Sequence, residues 1–212
     1  MLAAFFSTQA LADYSCTNEN GEDCRPTGID LISPSGSNQR DHELKISGEV
    51  PGSIISYYAA LNNDGTTSDN CFIFDAASIN IPAKAGQFIS AAHQQGNTGT
   101  TDNNVVIVKN NSSINGITIS GAVIYDYSDK SASGNSVLIS DSKIYSGGSQ
   151  AYLINGVTHR GSGDISNNRV TIENSTVSGD GRPYAFIAGA YSRSGGATTG
   201  NRVTINHSNI TL

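Results

Sequence analysis

The sequence is short of charge. Only 14% of its 212 residues are Asp, Glu, Lys or Arg, which is too little for the exposed faces of an ordinary helical enzyme. The Gly, Ser, Asn and Thr that fill the gaps recur too regularly for a disordered chain. Basic residues are the scarcer sign, 12 Lys and Arg against 18 Asp and Glu, for a formal net charge of -6. A phosphate-backbone partner demands clustered Lys and Arg, so no nucleic-acid partner is expected. No Pro-rich linker or shift in composition divides the chain, which is read as one domain. After the first few residues no stretch approaches the ~20 apolar residues of a membrane-spanning helix. Helical periodicity is missing as well, which leaves short strands joined by polar turns.

What is present is a repeat. Asn135-Ser136-Val137-Leu138-Ile139 returns as Asn168-Arg169-Val170-Thr171-Ile172 and again as Asn201-Arg202-Val203-Thr204-Ile205, each time at an offset of 33 residues. In the same frame Ser142 returns as Ser175 and Ser208, and Ile144 as Val177 and Ile210. Ile154, Gly156, Arg160 and Gly163 return as Ile187, Gly189, Arg193 and Gly196. Two weaker copies lie upstream, at Asn103-Asn104-Val105-Val106-Ile107 and Asp69-Asn70-Cys71-Phe72-Ile73, with insertions that leave their register open by a residue or two; Leu44-Lys45-Ile46 starts the first coil.

Each unit holds a Val-x-Ile alternation, a Ser-x-Ile/Val segment and a third apolar run, hence three short strands. Period-two alternation puts Val170 and Ile172 on a buried face and Thr171 and Glu173 on a wet one. A single unit cannot enclose its own apolar face, whereas stacked units bury each other's in one column. The fold class is therefore all-β, a right-handed parallel β-helix of about five coils with roughly 33 residues each. At ~4.8 Å per coil such a rod would be on the order of 25 Å long. Asn135, Asn168 and Asn201 fall above one another, where their amides can bond up the stack as an Asn ladder. Val177 and Ile187 are expected to face the column with Val170 and Ile172.

The chain opens with an apolar run, Leu2 to Phe6, followed by Ala10-Leu11-Ala12. That pattern reads as the remnant of a signal peptide over 1–12, cleaved after Ala12, or else as a hydrophobic cap on the first coil. Residues 13–40 form an N-terminal cap and 41–212 the repeats. Export would allow a Cys16–Cys24 disulfide around the acidic loop between them. Cys71, in an apolar strand, is expected to be buried, inert and free.

Taken together, the A-x-A signal, the Asn-x-Val-x-Ile and Ser-x-Ile/Val strands and Gly-rich loops such as Ser194-Gly195-Gly196-Ala197 resemble the β-helical passengers of bacterial type V autotransporters, over about residues 41–212. The resemblance implies export, display on the cell surface, and a C-terminal outer-membrane barrel. The sequence ends at Asn209-Ile210-Thr211-Leu212, inside a repeat and with no barrel strands; on this reading it is the N-terminal portion of a longer protein.

The repeat also shows which side chains stack. Asp141 falls under Asn174 and His207, Ser140 under Glu173 and Asn206, and Asp164 under Ala197. In these well-registered repeats no carboxylate overlies another, which argues against a calcium-bound carboxylate cluster and against an acid pair for glycoside hydrolysis. No nucleophile with an adjacent base is evident. The four histidines are scattered and are expected in solvated loops, and no metal or cofactor is expected. The expectation is a non-catalytic surface passenger, an adhesin that binds a host or bacterial cell-surface protein or glycan. The alternative is a polysaccharide-processing enzyme, a lyase or glycoside hydrolase of the same fold. Arg160 and Arg193, with Tyr191 nearby, are the candidate binding residues: planar guanidinium forks suit carboxylate or sulfate, and a ring offers a flat surface to a sugar. Solvated turns are the plainer account of the same residues.

Overall fold

The computed structural model describes residues 13–17, 39–50, 57–62, 65–80, 88–95, 99–125, 129–146, 154–179 and 186–212. The apolar start at 1–12 lies outside the described residues, as does Cys24, and with it the predicted Cys16–Cys24 bridge. Every regular element among the described residues is a strand. With one exception these strands pair in parallel with the coil above and the coil below, in three sheets, which makes the molecule a β-solenoid.

The long side carries two strands per coil, such as Ser136–Ser140 followed by Lys143–Ser146, and Arg169–Glu173 followed by Thr176–Gly179. The second side stacks Tyr57–Asn62, Phe88–Gln94, Thr118–Ile124 and Ile154–His159. The third is a column of two-residue strands, among them Ala132–Ser133 and Ile165–Ser166. The exception is Asp13–Thr17, which pairs antiparallel with the start of Glu43–Val50 and covers the first edge of the long side.

Alternation places the long-side residues as their sequence dictates. Val170, Ile172 and Val177 are completely buried, with Thr171 and Glu173 on the outer face. Ile187, in the last coils, is half-buried and packs against the same core. That core runs up the solenoid between the long and second sides, through Phe72, Val106, Val137 and Val170 in one column and Phe74, Val108, Ile139 and Ile172 in the next. A smaller core of Ala92, Ala122, Ile124, Ala132, Val157 and Ile165 fills the space between the second and third sides, so the second side is buried on both faces.

The Asn ladder is present and longer than the three residues expected, because Asn70 and Asn104 extend it downward. Asn104 Nδ2 donates to Asn135 Oδ1 at 2.8 Å, Asn135 Nδ2 to Asn168 Oδ1 at 3.0 Å, and Asn168 Nδ2 to Asn201 Oδ1 at 2.9 Å. Each Oδ1 also accepts the backbone N–H of the Asn one coil below. A serine ladder stands at the next corner: Ser142 N donates to Ser175 Oγ and Ser175 N to Ser208 Oγ, both at 3.1 Å. Both corners need a left-handed residue just before the ladder position, and both use residue types that tolerate it. Asp69, Asn103, Gly134, Asn167 and Gly200 serve the Asn corner, and Asn111, Asp141, Asn174 and His207 the Ser corner.

From Asn70 to Asn201 the ladder makes four turns of 34, 31, 33 and 33 residues. About five coils were expected. The difference lies at the start, where the ladder ends on the backbone N–H of His42, only 28 residues before Asn70.

The irregular turns also move the register. Matching by residue type sets Val105 and Ile107 beside Val137 and Ile139; the structure instead pairs Val137 with Val106 and Ile139 with Val108. A slip of one residue exchanges the two faces of a strand. The ladder decides it, since burying Asn104 among its partners puts Val106 and Val108 inside. The same shift turns Cys71 outward. It is free and only partly covered, not buried as expected, because Phe72 and Phe74 take the inner positions.

Glycine is required where main chains approach closely. Gly121, Gly156 and Gly189 form one such column, where the second side crosses the backbone of the long side. A Cβ on Gly156 would stand 2.3 Å from Gly189 O and 2.7 Å from Arg169 N, both main-chain atoms that cannot swing away. Lower in the same column the register places Ala59 and Ala91.

Candidate ligand-binding face

The second side ends, coil after coil, at a turn leading to the third side, and the residue just past each strand forms a column. Tyr125 N bonds to Gln94 O at 3.0 Å, Arg160 N to Ile124 O at 3.2 Å and Arg193 N to His159 O at 3.0 Å. Gln95, Tyr125, Arg160 and Arg193 thus occupy equivalent places on successive coils. Arg160 and Arg193 are adjacent, as the repeat predicts, and Ser194 Oγ, donating to Arg160 O at 2.7 Å, ties the two turns together.

Tyr125 was not among the residues expected here. Its ring is 39% exposed and lies under the Arg160 guanidinium, whose Cζ is 3.9 Å from the ring centroid. The positive charge rests against the electron-rich face of the ring, an attraction on the order of 0.5–1 kcal/mol at an exposed site. It also directs Arg160 toward the coil below, away from Arg193. Tyr191 sits elsewhere. It is half-buried and packs on Phe186, with ring centroids 5.2 Å apart, and its backbone pairs with Thr158. The offset from Tyr125 to Arg160 is 35 residues, two more than the regular repeat, so a search at the regular spacing passes over it.

Stacked arginines alone do not mark a site, since Arg169 and Arg202 also sit in register on the outer long side. What distinguishes Arg160 is the aromatic surface beneath it and the histidine beneath that. His93 and Tyr125 have ring centroids 5.8 Å apart. His93 is 3% exposed, contrary to the expectation of a solvated loop residue. Desolvation by burial, and then the charge of Arg160, hold its pKa down from an ordinary 6.5 to about 4. Gln95 Nε2 donates to His93 Nε2 at 3.2 Å, a bond that only a neutral ring can accept at that nitrogen.

This has a consequence for stability. Unfolded chains take up a proton at His93 near pH 6.5, folded ones only near pH 4. The contribution is therefore complete above the unfolded value and is lost as pH falls toward the folded one, on the order of 3 kcal/mol in all. Urea midpoints measured at pH 7 and pH 4.5 should fall further for the wild type than for His93→Gln. Equal falls would remove His93 as the cause.

His159 is also buried, again contrary to expectation. Its Nε2 lies 2.7 Å from Lys130 O and its Nδ1 3.0 Å from Gly161 O, so the ring sits between the main chains of two turns and, with a single N–H, donates to one of the two carbonyls. One coil pair lower, Gln94 donates to Gly65 O at 2.7 Å and does the same work. Both are structural. His207 is exposed at the Ser corner of the last coil.

Other reactive groups are held by their surroundings. Cys71 is opposed by Glu43 on the next coil; burial first, and then the Glu43 charge, against the opposing pull of Lys109, raise its thiol to about 11. The thiolate is scarce at neutral pH, and the group is a poor nucleophile. Asp75 bonds to Lys45 at 2.8 Å, which is the main cause of its lowered pKa. Among the described residues no three His, Cys, Asp or Glu side chains gather closely enough to share a metal ion. No protein-family model matches the chain, and no curated protein or solved structure matches it.

Proposed function

We propose that the chain is a non-catalytic, exported surface passenger of the autotransporter kind, adhesive in action, with Arg160 and Arg193 as its contacts to acidic groups. The observation that carries this reading is the column of Tyr125, Arg160 and Arg193, an aromatic ring and two guanidinium groups on consecutive coils of a protein whose net charge is -6. The partner is a sulfated or carboxylated glycan, or an acidic protein, on a host or bacterial cell surface. A guanidinium already held against the Tyr125 ring loses less side-chain freedom on binding a planar anion than an unrestrained arginine would.

The resemblance to passengers supports export and surface display, since an A-x-A segment follows an apolar start and precedes the solenoid. The solenoid itself supports a display role only as a scaffold, because the same architecture serves binding proteins and enzymes alike.

The test is attachment of the purified chain to immobilised heparin, polyuronate and an uncharged control glycan. Arg160→Ala with Arg193→Ala should weaken attachment to the acidic surfaces roughly tenfold or more, equivalent to about 1.4 kcal/mol. Added salt should weaken the wild type in the same way. The melting temperature should stay within a few degrees. Equal attachment by wild type and double variant across the salt series would remove this face, and turnover of any glycan would replace the adhesin by an enzyme.

A further inference from the structure

The Ser corner of the long side carries a second feature, unrelated to the arginine face. A groove of about 390 Å³ runs along it over three coils. Its floor follows the serine ladder, in which Ser142 Oγ donates to Ser140 O at 2.7 Å and Ser175 Oγ to Glu173 O at 2.6 Å. One wall is the column of left-handed residues Asn111, Asp141 and Asn174, and the other is Ser113, Lys143 and Thr176, which the strand register stacks directly.

At several places on the outer surface polar side chains of successive coils bond to each other, as Asn110 does to Asp75 at 2.7 Å, Asn115 to Asn80 at 2.9 Å and Asn206 to Glu173 at 3.2 Å. The side chains of the six wall residues make no such bond to any described residue. A run of donors and acceptors is thus left facing one groove. Asp141 and Lys143 bring one charge of each sign, so the groove as a whole is neutral. Tyr145, two residues beyond Lys143 on the same outward face, is 43% exposed.

We infer that this groove binds a linear, uncharged polysaccharide lying parallel to the solenoid axis. Coils repeat every ~4.8 Å, about the length of one pyranose in an extended chain, so each coil meets one sugar with the same pair of wall positions. The ring hydroxyls, each both donor and acceptor, match amide, carboxylate, ammonium and hydroxyl groups that otherwise bond only water. Tyr145 supplies the apolar surface on which a sugar face can rest. A polyanion is disfavoured by Asp141, which distinguishes this ligand from the one at Arg160 and Arg193.

The experiment is affinity electrophoresis of the 212-residue chain in gels containing a β-glucan, a mannan or a xylan, followed by calorimetry with oligomers of the retarding polymer. At least one neutral polymer should retard the wild type. Affinity should rise with oligomer length until three sugars, one for each lined coil, and then level off. Lys143→Ser with Tyr145→Ser, both outward and exposed, should weaken binding roughly tenfold or more at an unchanged melting temperature. Asp141→Asn, which keeps a residue suited to the left-handed corner, should bind as the wild type does or more tightly to a polyuronate. Arg160→Ala with Arg193→Ala should leave retardation as it was, so failure of the arginine face and failure of the groove are separate results. The inference is overturned if no neutral polymer retards the chain, if the Lys143/Tyr145 variant is retarded as strongly as the wild type, or if the arginine variant alone abolishes retardation.

Discussion

Replacing Ile172 with Asp should lower the melting temperature by about 10 °C or more, since a loss of several kcal/mol shifts a domain of this size by roughly 2–4 °C per kcal/mol. Ile172 is fully buried, with Ile139 below it and Ile205 above in the same column. A carboxylate there has no cation or donor within the apolar stripe, and neutralising it by protonation still leaves a buried polar group. The informative comparison is Thr171→Asp, one residue away on the outer face, which should cost no more than about 0.5 kcal/mol. Thermal melts followed by circular dichroism suffice. Equal losses in the two variants would sink the assignment of faces on this strand. Because coils interact chiefly with their neighbours, the damage should be local first, with the last coil losing amide protection before the coils around Phe72 and Phe74.

Asn135→Ala should come next in severity, at about 3–5 kcal/mol, by leaving several buried groups without partners at ~1–3 kcal/mol each. Asn135 is completely buried. Its Oδ1 accepts from Asn104 N at 3.1 Å and Asn104 Nδ2 at 2.8 Å, and its Nδ2 donates to Thr101 O at 2.8 Å and Asn168 Oδ1 at 3.0 Å. Alanine removes the side chain from the middle of the ladder, so both neighbouring coils lose a partner at once. Asn115→Ala is the control, because its amide bonds to Asn80 on the exposed surface where water can take over. Hydrogen exchange adds a second readout: the amide of Asn104 should lose protection in Asn135→Ala and keep it in Asn115→Ala. Retained protection of Asn104 would show that the ladder is ornamental.

Both results bear on how far the residues alone specify the molecule. Between Asn135 and Asn201 a constant spacing names the neighbours above and below, and alternation names the face. The ladder, the buried Val170 and Ile172, and the adjacency of Arg160 and Arg193 follow from those two rules. They hold because a parallel stack repeats every contact at one offset, and a strand with one wet and one dry side has only one way to face the core. Where coils take 31 or 34 residues the rules no longer apply, and closure of the coil chooses the register. Only the folded chain could then turn Cys71 outward, bring Asn104 into the ladder, set Tyr125 beneath Arg160, and bury His93 and His159. The groove at the Ser corner is likewise a tertiary fact. Its residues are ordinary turn residues in the sequence, and they become two facing walls because the left-handed corner bends every coil at the same place.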